Sequence, residues 1–434
     1  MPRAVTPLGT ASRAGRAVLA LAAGAVLGAL LTSCTSAPGV PPTPTAAASD
    51  SAVASPKALG DGVLRIGTLF PSTGATAFIG APELAGVRTA VAEINAAGGV
   101  NGKPVELLSD DSGDATTQTA EASLADLAKK GVDVIIGPSS SVLAQRLITA
   151  AAAARIPMVS PSATYPQLSA LDQTGVFFRT VPSTARQGVA LGRLLPAKKQ
   201  GKVALVATSD PIGQSVVTTL GDTLTANGGS LVANVTVTAS SDAAAVAAQL
   251  RAAAPDAVVL DTPDNGAQTK ALITQLVAAG FGGAKLWLTS QNLADYSQAL
   301  PAGTLTGVSG VLEGADASAA FQAQVKAADP TVPGFQYTPE AYDATILVAL
   351  AATLAHDDAG IRVAAQLRVA SVGGIKCTSF RECLDVLKSE PAIDYDGLSG
   401  PLNLDAEGDP TPGTYGVYSY AANGKYARSG SVSG

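Results

Sequence analysis

The segment Val132 to Thr164 limits the possible folds most sharply. It reads VDVIIGPSSSVLAQRLITAAAAARIPMVSPSAT. Val132 to Ile136 is a short β-branched run, the signature of a buried strand. Gly137-Pro138 stops it, and Ser139, Ser140 and Ser141 follow. Val142 to Ala154 has helical composition, and Pro157 to Ser160 reads as a second strand that empties into Pro161-Ser162-Ala163-Thr164. Two successive strand ends therefore present small hydroxyl residues. Open parallel sheets bind ligands outside the carboxyl ends of their strands, and the first loop also opens a helix, whose free N–H groups attract an anion. The pattern predicts a cradle for a small carboxylate.

Strand and helix signals alternate along the rest of the chain. Strands are expected at 63–70, 104–109 and 176–180, with helices at 83–97 and 116–130. After Val181-Pro182 the alternation restarts. Strands at 203–208, 231–238, 257–261 and 285–289 are interleaved with helices at 184–195, 214–226, 243–254 and 267–279. Glycines close many of these helices. Such βαβ alternation predicts parallel sheets covered by helices on both faces. A strand at 308–313 and helices at 317–328, 339–355, 361–370 and 379–388 come next. Strands at 402–404 and 415–420 follow, with Asn423-Gly424 as a hairpin turn. The expected fold is α/β, with two doubly wound parallel-sheet lobes, a hinge and an interlobe cleft. The lobes are expected at 62–181 plus 314–393 and at 182–313 plus 394–434.

The first 34 residues read as an export signal. Arg3, Arg13 and Arg16 precede the apolar run Ala17 to Leu31, which is shorter than a membrane span. Leu31-Thr32-Ser33-Cys34 resembles a bacterial lipobox, which implies a lipid on Cys34 and an anchor on the extracytoplasmic face of the cell membrane. Residues 35–61 are rich in Pro, Ala, Ser and Thr and are expected to be a disordered tether. Of three cysteines, Cys377 and Cys383 remain as an even pair in an exported chain, so a short disulfide is expected.

Charged residues are 14% of the chain and the net charge is −6. No cluster of Lys and Arg points to a nucleic-acid partner. The chain lacks a G-x-S-x-G elbow, an H-E-x-x-H motif and a glycine-rich phosphate loop. Its single histidine, His356, lies near the end of an expected helix beside two aspartates, which suits a surface role. Neither catalysis nor a metal or other cofactor is expected. Asp405, Glu407 and Asp409 have an acidic spacing but read as a turn.

From Val63 to about Tyr426 the chain resembles the substrate-binding proteins of branched-chain amino acid ABC transporters, the leucine-binding-protein-like members of the type I periplasmic binding fold. The resemblance rests on LRIGTLFPSTG, GVRTAVAEINAAGGVNGKPVELLSDDSGD, IIGPSSS, PMVSPSATYPQL, FFRTVPS, YTPEAYDATILVALA and YDGLSGPLNLDAEGDPTPGTYGVY, in that order. It implies two lobes joined by three crossovers, hinge closure around a ligand, and delivery to an ABC permease.

By this resemblance Ser141, with Ser140 beside it, matches the serine that holds the ligand carboxylate. Ser162, Ala163 and Thr164 match the loop that completes that site and touches the amino group. Tyr337 matches an aromatic wall. Three positions depart from the pattern. Ile79 and Ile212 stand where tyrosines are usual, and Gln291 stands where a glutamate neutralises the ligand ammonium. Asp264, Asp261 or Asp210 of the second lobe is then expected to supply that charge, or else the ligand lacks an ammonium. The expected function is capture of a small carboxylate-bearing solute, an amino acid first, for uptake. A sensory module signalling to a membrane partner, or a binder of amides, urea or organic acids, is the alternative.

Overall fold

The computed structural model of the chain describes residues 59–434 except Ala75 and Gln173. The export signal, Cys34 and the tether up to residue 58 lie outside the described residues. The first sheet contains β1 (Arg65–Phe70), β2 (Glu106–Asp111), β3 (Val134–Ile136), β4 (Met158–Ser160) and β5 (Phe177–Arg179). They lie in the order β2-β1-β3-β4-β5 with every pair parallel. Buried side chains flank both faces, which explains the near-continuous apolar runs. Since β2 and β3 sit on opposite sides of β1, the chain leaves β1 and β3 in opposite directions. That reversal opens a crevice at their carboxyl ends.

The second sheet contains β6 (Lys202–Ala207), β7 (Ser230–Thr236), β8 (Ala257–Asp261), β9 (Leu286–Leu288) and β10 (Ser309–Glu313). Late in the chain, β11 (Ile375–Cys377), β12 (Ile393–Gly397) and β13 (Gly400–Pro401) form a small sheet of their own. The closing hairpin, β14 (Thr414–Tyr420) and β15 (Tyr426–Ser433), returns to the second sheet, where β14 pairs antiparallel with β10. The order is β15-β14-β10-β9-β8-β6-β7.

The expected boundary at residues 393 and 394 is displaced. Ile393, Tyr395, Leu402 and Leu404 belong to the first lobe's core. They stay there because Asp343 of helix Thr338–Ala355 accepts the Tyr395 hydroxyl at 2.8 Å and the amides of Leu398 and Ser399 at 2.9 and 2.6 Å. The expected strand at 402–404 is also absent. Leu404 forms only an isolated bridge to Pro410, while Leu402 and Leu404 point into the core. The chain then crosses near Gly413, which packs on Pro182, while Gly314 N–H donates to Thr414 O at 2.9 Å. All three crossings therefore lie side by side.

Helix Thr338–Ala355 is buried on every side as far as Ala352. This accounts for its apolar length: it is the central helix of the first lobe, covered all round. Among the described residues no single helix is long and apolar enough to cross a membrane. Helix Ala77–Ala96 packs directly along the central helix. The contact is close at Gly86, where an added Cβ would lie 2.4 Å from Thr338 O. Cys377 and Cys383 form a disulfide with Cα atoms 5.2 Å apart. It closes on helix Phe380–Val386, whose N-cap Ser379 accepts Glu382 N–H.

One buried ion pair holds the site loop to the last crossing. Arg179, fully buried at the end of β5, donates Nε to Asp409 Oδ1 and Nη2 to Asp409 Oδ2, each at 2.6 Å. Its Nη1 donates to the carbonyls of Ala163 and Tyr165 at 3.1 and 3.0 Å. Asp409, read from sequence within an acidic turn, is thus spent on Arg179. Removing one member of a buried pair strands the other. Arg179→Ala is expected to lower unfolding free energy by about 3–5 kcal/mol, read by urea denaturation. A loss below about 1 kcal/mol, the scale of an exposed pair, would show that other contacts hold this loop.

Candidate functional site

The carboxyl ends of β3 and β4 bring the expected first-lobe residues together. Ser140 is the N-cap of helix Ser141–Ala154, and its hydroxyl accepts Leu143 N–H at 3.4 Å. Ser141 Oγ accepts the amides of Thr164 and Tyr165 at 2.9 and 3.2 Å. A hydroxyl has two acceptor lone pairs and one proton. Both lone pairs of Ser141 are filled, so its remaining capacity is donation. Ala163 is fully buried, and its amide donates to Ser160 Oγ at 2.9 Å. The Thr164 carbonyl accepts Thr184 N–H at 2.8 Å, which ties the loop to the start of the second lobe.

Ser139 and Ser162 behave differently. Their hydroxyls donate to the two carboxylate oxygens of one buried residue, Glu83: Ser139 to Oε2 and Ser162 to Oε1. Ser162 Oγ also lies 3.2 Å from the Ser139 carbonyl. Glu83 belongs to helix Ala77–Ala96, which follows β1, so the contact spans the crevice between β1 and β3. Burial raises its pKa from 4.5 to about 8, against the lowering effect of the two serine hydroxyls. Glu340 of the central helix adds repulsion. Glu340 is itself buried and raised to about 8 by that burial. Its Oε1 accepts Ala315 N–H at 2.6 Å, and its Oε2 has no hydrogen-bond partner among the described residues.

Tyr337 sits at the N-cap of the central helix with φ +57°. It is buried beside Glu313, Glu340 and Glu83, and burial followed by these acids pushes its hydroxyl pKa well up. With Glu313, Tyr418, Tyr426 and Arg428 it lines a cavity of about 310 Å³. Glu313, at the end of β10, is raised by burial. It accepts Gln187 Nε2 at 2.8 Å and Ser290 Oγ at 3.1 Å, and Ser290 N–H donates to Gln187 Oε1 at 2.8 Å.

The remaining expected residues stand on the second lobe. Among the described residues no hydrogen bond joins them to the first-lobe loops. Ile212 is half-buried in the first turn of helix Pro211–Ala226, and Gln291 is half-buried after β9. Asp264 is exposed, and its Oδ1 accepts Gly266 N–H at 2.7 Å within its own loop. Asp210 caps helix Pro211–Ala226. Burial pushes its pKa up, but the Thr208 hydroxyl and two amides hold it below the usual range. Asp261 is buried, accepts the Thr289 hydroxyl at 2.7 Å, and is raised to about 6 chiefly by burial. Exposed His356 lies in the left-handed region just past the central helix, away from these groups. The acids beside it, Asp357 and Asp358, accept the amides of Gly60 to Gly62.

A family described as periplasmic binding protein matches residues 63–383. The chain is a periplasmic binding protein. Its place is outside the cytoplasm, and its work is to bind a solute, not to transform one. It is similar to the chemotactic signal transduction system substrate-binding protein BasB of Halobacterium salinarum, 26% identical over 359 residues, covering 80% of this chain and 85% of that one. To the Leu/Ile/Val-binding protein BraC3 of Rhizobium johnstonii it is 31% identical over 176 residues, 40% of this chain and 47% of that one. Among solved structures it resembles the branched-chain amino acid transporter protein LivJ of Streptococcus pneumoniae in complex with isoleucine. There the TM-score is 0.59 at 22% identity, with 86% of this chain and 100% of that chain covered. A solute-binding protein of R. palustris in complex with benzoate gives 0.55 at 22% identity, covering 86% and 97%. These likenesses establish the two-lobed leucine-binding-like fold.

Sequence reasoning missed Glu83, although a signal was present. Glu83, Val87, Ala90 and Ile94 fall at i, i+4, i+7 and i+11, the buried stripe of this periplasmic binding protein's first helix, and all four are buried. A carboxylate on such a stripe needs partners. Glu83 and Glu340 both have raised folded-state pKa values, so each prefers its proton in the folded chain. Their contribution to stability is fully present below about pH 4.5 and is lost as pH rises through about 8. Thermal unfolding from pH 5 to 9 is expected to show a falling melting temperature. A flat or rising profile would contradict the burial of these carboxyls.

Proposed function

We propose that this chain captures a small carboxylate-bearing solute, an amino acid first, and presents it to an ABC permease while anchored to the membrane by lipid on Cys34. The observation that carries this reading is the Ser141 hydroxyl. Two loop amides fill its lone pairs, so its proton is left to donate at the N-terminus of helix Ser141–Ala154. A prepositioned donor beside a helix N-terminus suits a carboxylate. Ser140 and Thr164 flank it, the buried Ala163 sets the height of the loop, and Tyr337 offers an aromatic wall. Ile212, Asp264 and Gln291 complete the cleft from the second lobe when the hinge closes. The similar proteins bind Leu/Ile/Val by name or hold isoleucine or benzoate in their structures, all ligands with a carboxylate.

A second reading has its own support. The relative matched over most of both chains carries a chemotactic signalling name, so the same capture step can report to a sensory partner. The two readings share the ligand site and differ only in the membrane protein that receives the closed form.

Leucine, isoleucine, phenylalanine, benzoate and 4-methylpentanoate should be screened by thermal shift on the body from Gly60. A ligand at about a hundredfold excess over Kd adds about 2.7 kcal/mol. Ser141→Ala with Thr164→Ala is expected to weaken the best ligand at least tenfold, since a hydrogen bond to a charged group contributes about 1.5–3 kcal/mol. Unchanged affinity in that double variant would remove the carboxylate site from these loops. In the full chain, Cys34→Ala is expected to shift the protein from the membrane fraction to the medium. Retention on the membrane would refute the anchor.

A further inference from the structure

We infer that Glu83 is the counter-charge for a cationic group of the ligand, acting through Ser139 and Ser162, and that binding such a ligand releases the Glu83 proton. The inference rests on the amino-acid reading above and locates the charge that Gln291 does not carry. Glu83 is a positioning residue: it is fully buried, and its two carboxylate oxygens meet the hydroxyls of the buried Ser139 and the half-buried Ser162 at the carboxyl ends of β3 and β4.

Proton bookkeeping in the three-residue relay gives the mechanism. In the empty cleft Glu83 is neutral. A proton on Glu83 Oε1 reverses the Ser162 contact, in which the ionised carboxylate is the acceptor: Oε1–H then donates to Ser162 Oγ, Ser162 O–H turns to the Ser139 carbonyl 3.2 Å away, and Ser139 O–H still donates to Glu83 Oε2. Every proton in the ring then has an acceptor. When an ammonium settles over the serines, the Glu83 proton leaves to solvent. Ser162 O–H turns to Oε1, and Ser139 O–H stays on Oε2. Both hydroxyls now hold their protons inward and offer lone pairs to the ligand N–H groups. The carboxylate charge behind them is partly balanced by the ammonium, whose desolvation would otherwise cost several kcal/mol.

The surroundings fit a group that is neutral when the cleft is empty. Glu83 faces Glu340 from the central helix, which disfavours a negative charge on Glu83, and it lies near the buried Tyr337. From the β3 and β4 loops its hydrogen-bond partners among the described residues are Ser139 and Ser162. Among the described residues no Lys or Arg pairs with it. Ser141, with its donor outward, and Ser139 and Ser162, with acceptors outward, give the floor a direction. It takes a carboxylate at one end and an ammonium at the other.

Isothermal titration at pH 7 in phosphate and in Tris tests this, because the two buffers differ in ionisation enthalpy. Leucine is the zwitterionic probe, and 4-methylpentanoate is the same acid without the amine. Wild type is expected to release close to one proton with leucine and none with 4-methylpentanoate. Glu83→Gln is expected to release none and to lose at least tenfold in leucine affinity while keeping its affinity for 4-methylpentanoate within about threefold. Ser162→Ala is expected to lower the leucine preference in the same direction. No proton release by wild type, or equal loss of both probes in Glu83→Gln, would overturn the inference. If neither probe binds, the solute reading fails instead, and the relay is read without ligand. Wild type should then lose melting temperature relative to Glu83→Gln between pH 5 and 8. Parallel curves would overturn the relay.

Discussion

The hydrogen bonds from Ser139 and Ser162 to Glu83 tie three separate pieces of the first lobe into one floor. One piece is the helix after β1, and the others are the loops after β3 and β4. A carboxyl taken wholly out of water is tolerated only where polar partners surround it. That requirement fixes where the two loops sit and which way their hydroxyls point. The same helix packs on the central helix at Gly86, so Glu83 and Glu340 are brought into each other's field. Site geometry and lobe packing therefore share one constraint.

The rest of the architecture serves to hold that floor still. Arg179 ties the carbonyls of Ala163 and Tyr165 to Asp409, so the ligand loop is braced against the segment leading to the last crossing. Asp343 performs a similar task on the far side by fastening the β12–β13 hairpin to the central helix. Both are buried charges that meet several partners at once, which keeps their desolvation cost from being wasted. At the hinge, Gln187 links Ser290 and Glu313 at the ends of β9 and β10. Two lobes joined through three adjacent crossings are the arrangement in which hinge closure takes place.

Much of the fold was legible because the alternation of apolar runs and glycine-stopped helices is a local signal. β8 matches its expected span, and most other elements differ by a few residues at their ends. Illegible features depended on distant partners. The first helix starts at Ala77, earlier than the expected 83, and carries Pro82 inside it. The segment 394–404 is expected in the second lobe, with a strand at 402–404, yet Asp343, about fifty residues upstream, claims it for the first lobe. In the site, Ser141 and Thr164 were legible as neighbouring loop ends. Glu83 was not, since a glutamate in a helix is solvated in most proteins and only its place on the stripe with Val87 and Ile94 marks it as buried.

The most direct measurement is a pH titration of the Glu83 side-chain carboxyl carbon by 13C NMR in the empty protein, assigned by its disappearance in Glu83→Gln. A neutral relay predicts a midpoint near 8, well above the 4.5 of an unperturbed glutamate, and a fall of that midpoint when an amino acid is bound. A midpoint near 4.5 in the empty protein would mean that Glu83 is charged from the start. The floor would then be a fixed anion, and the proton-linked account of ligand capture would be wrong.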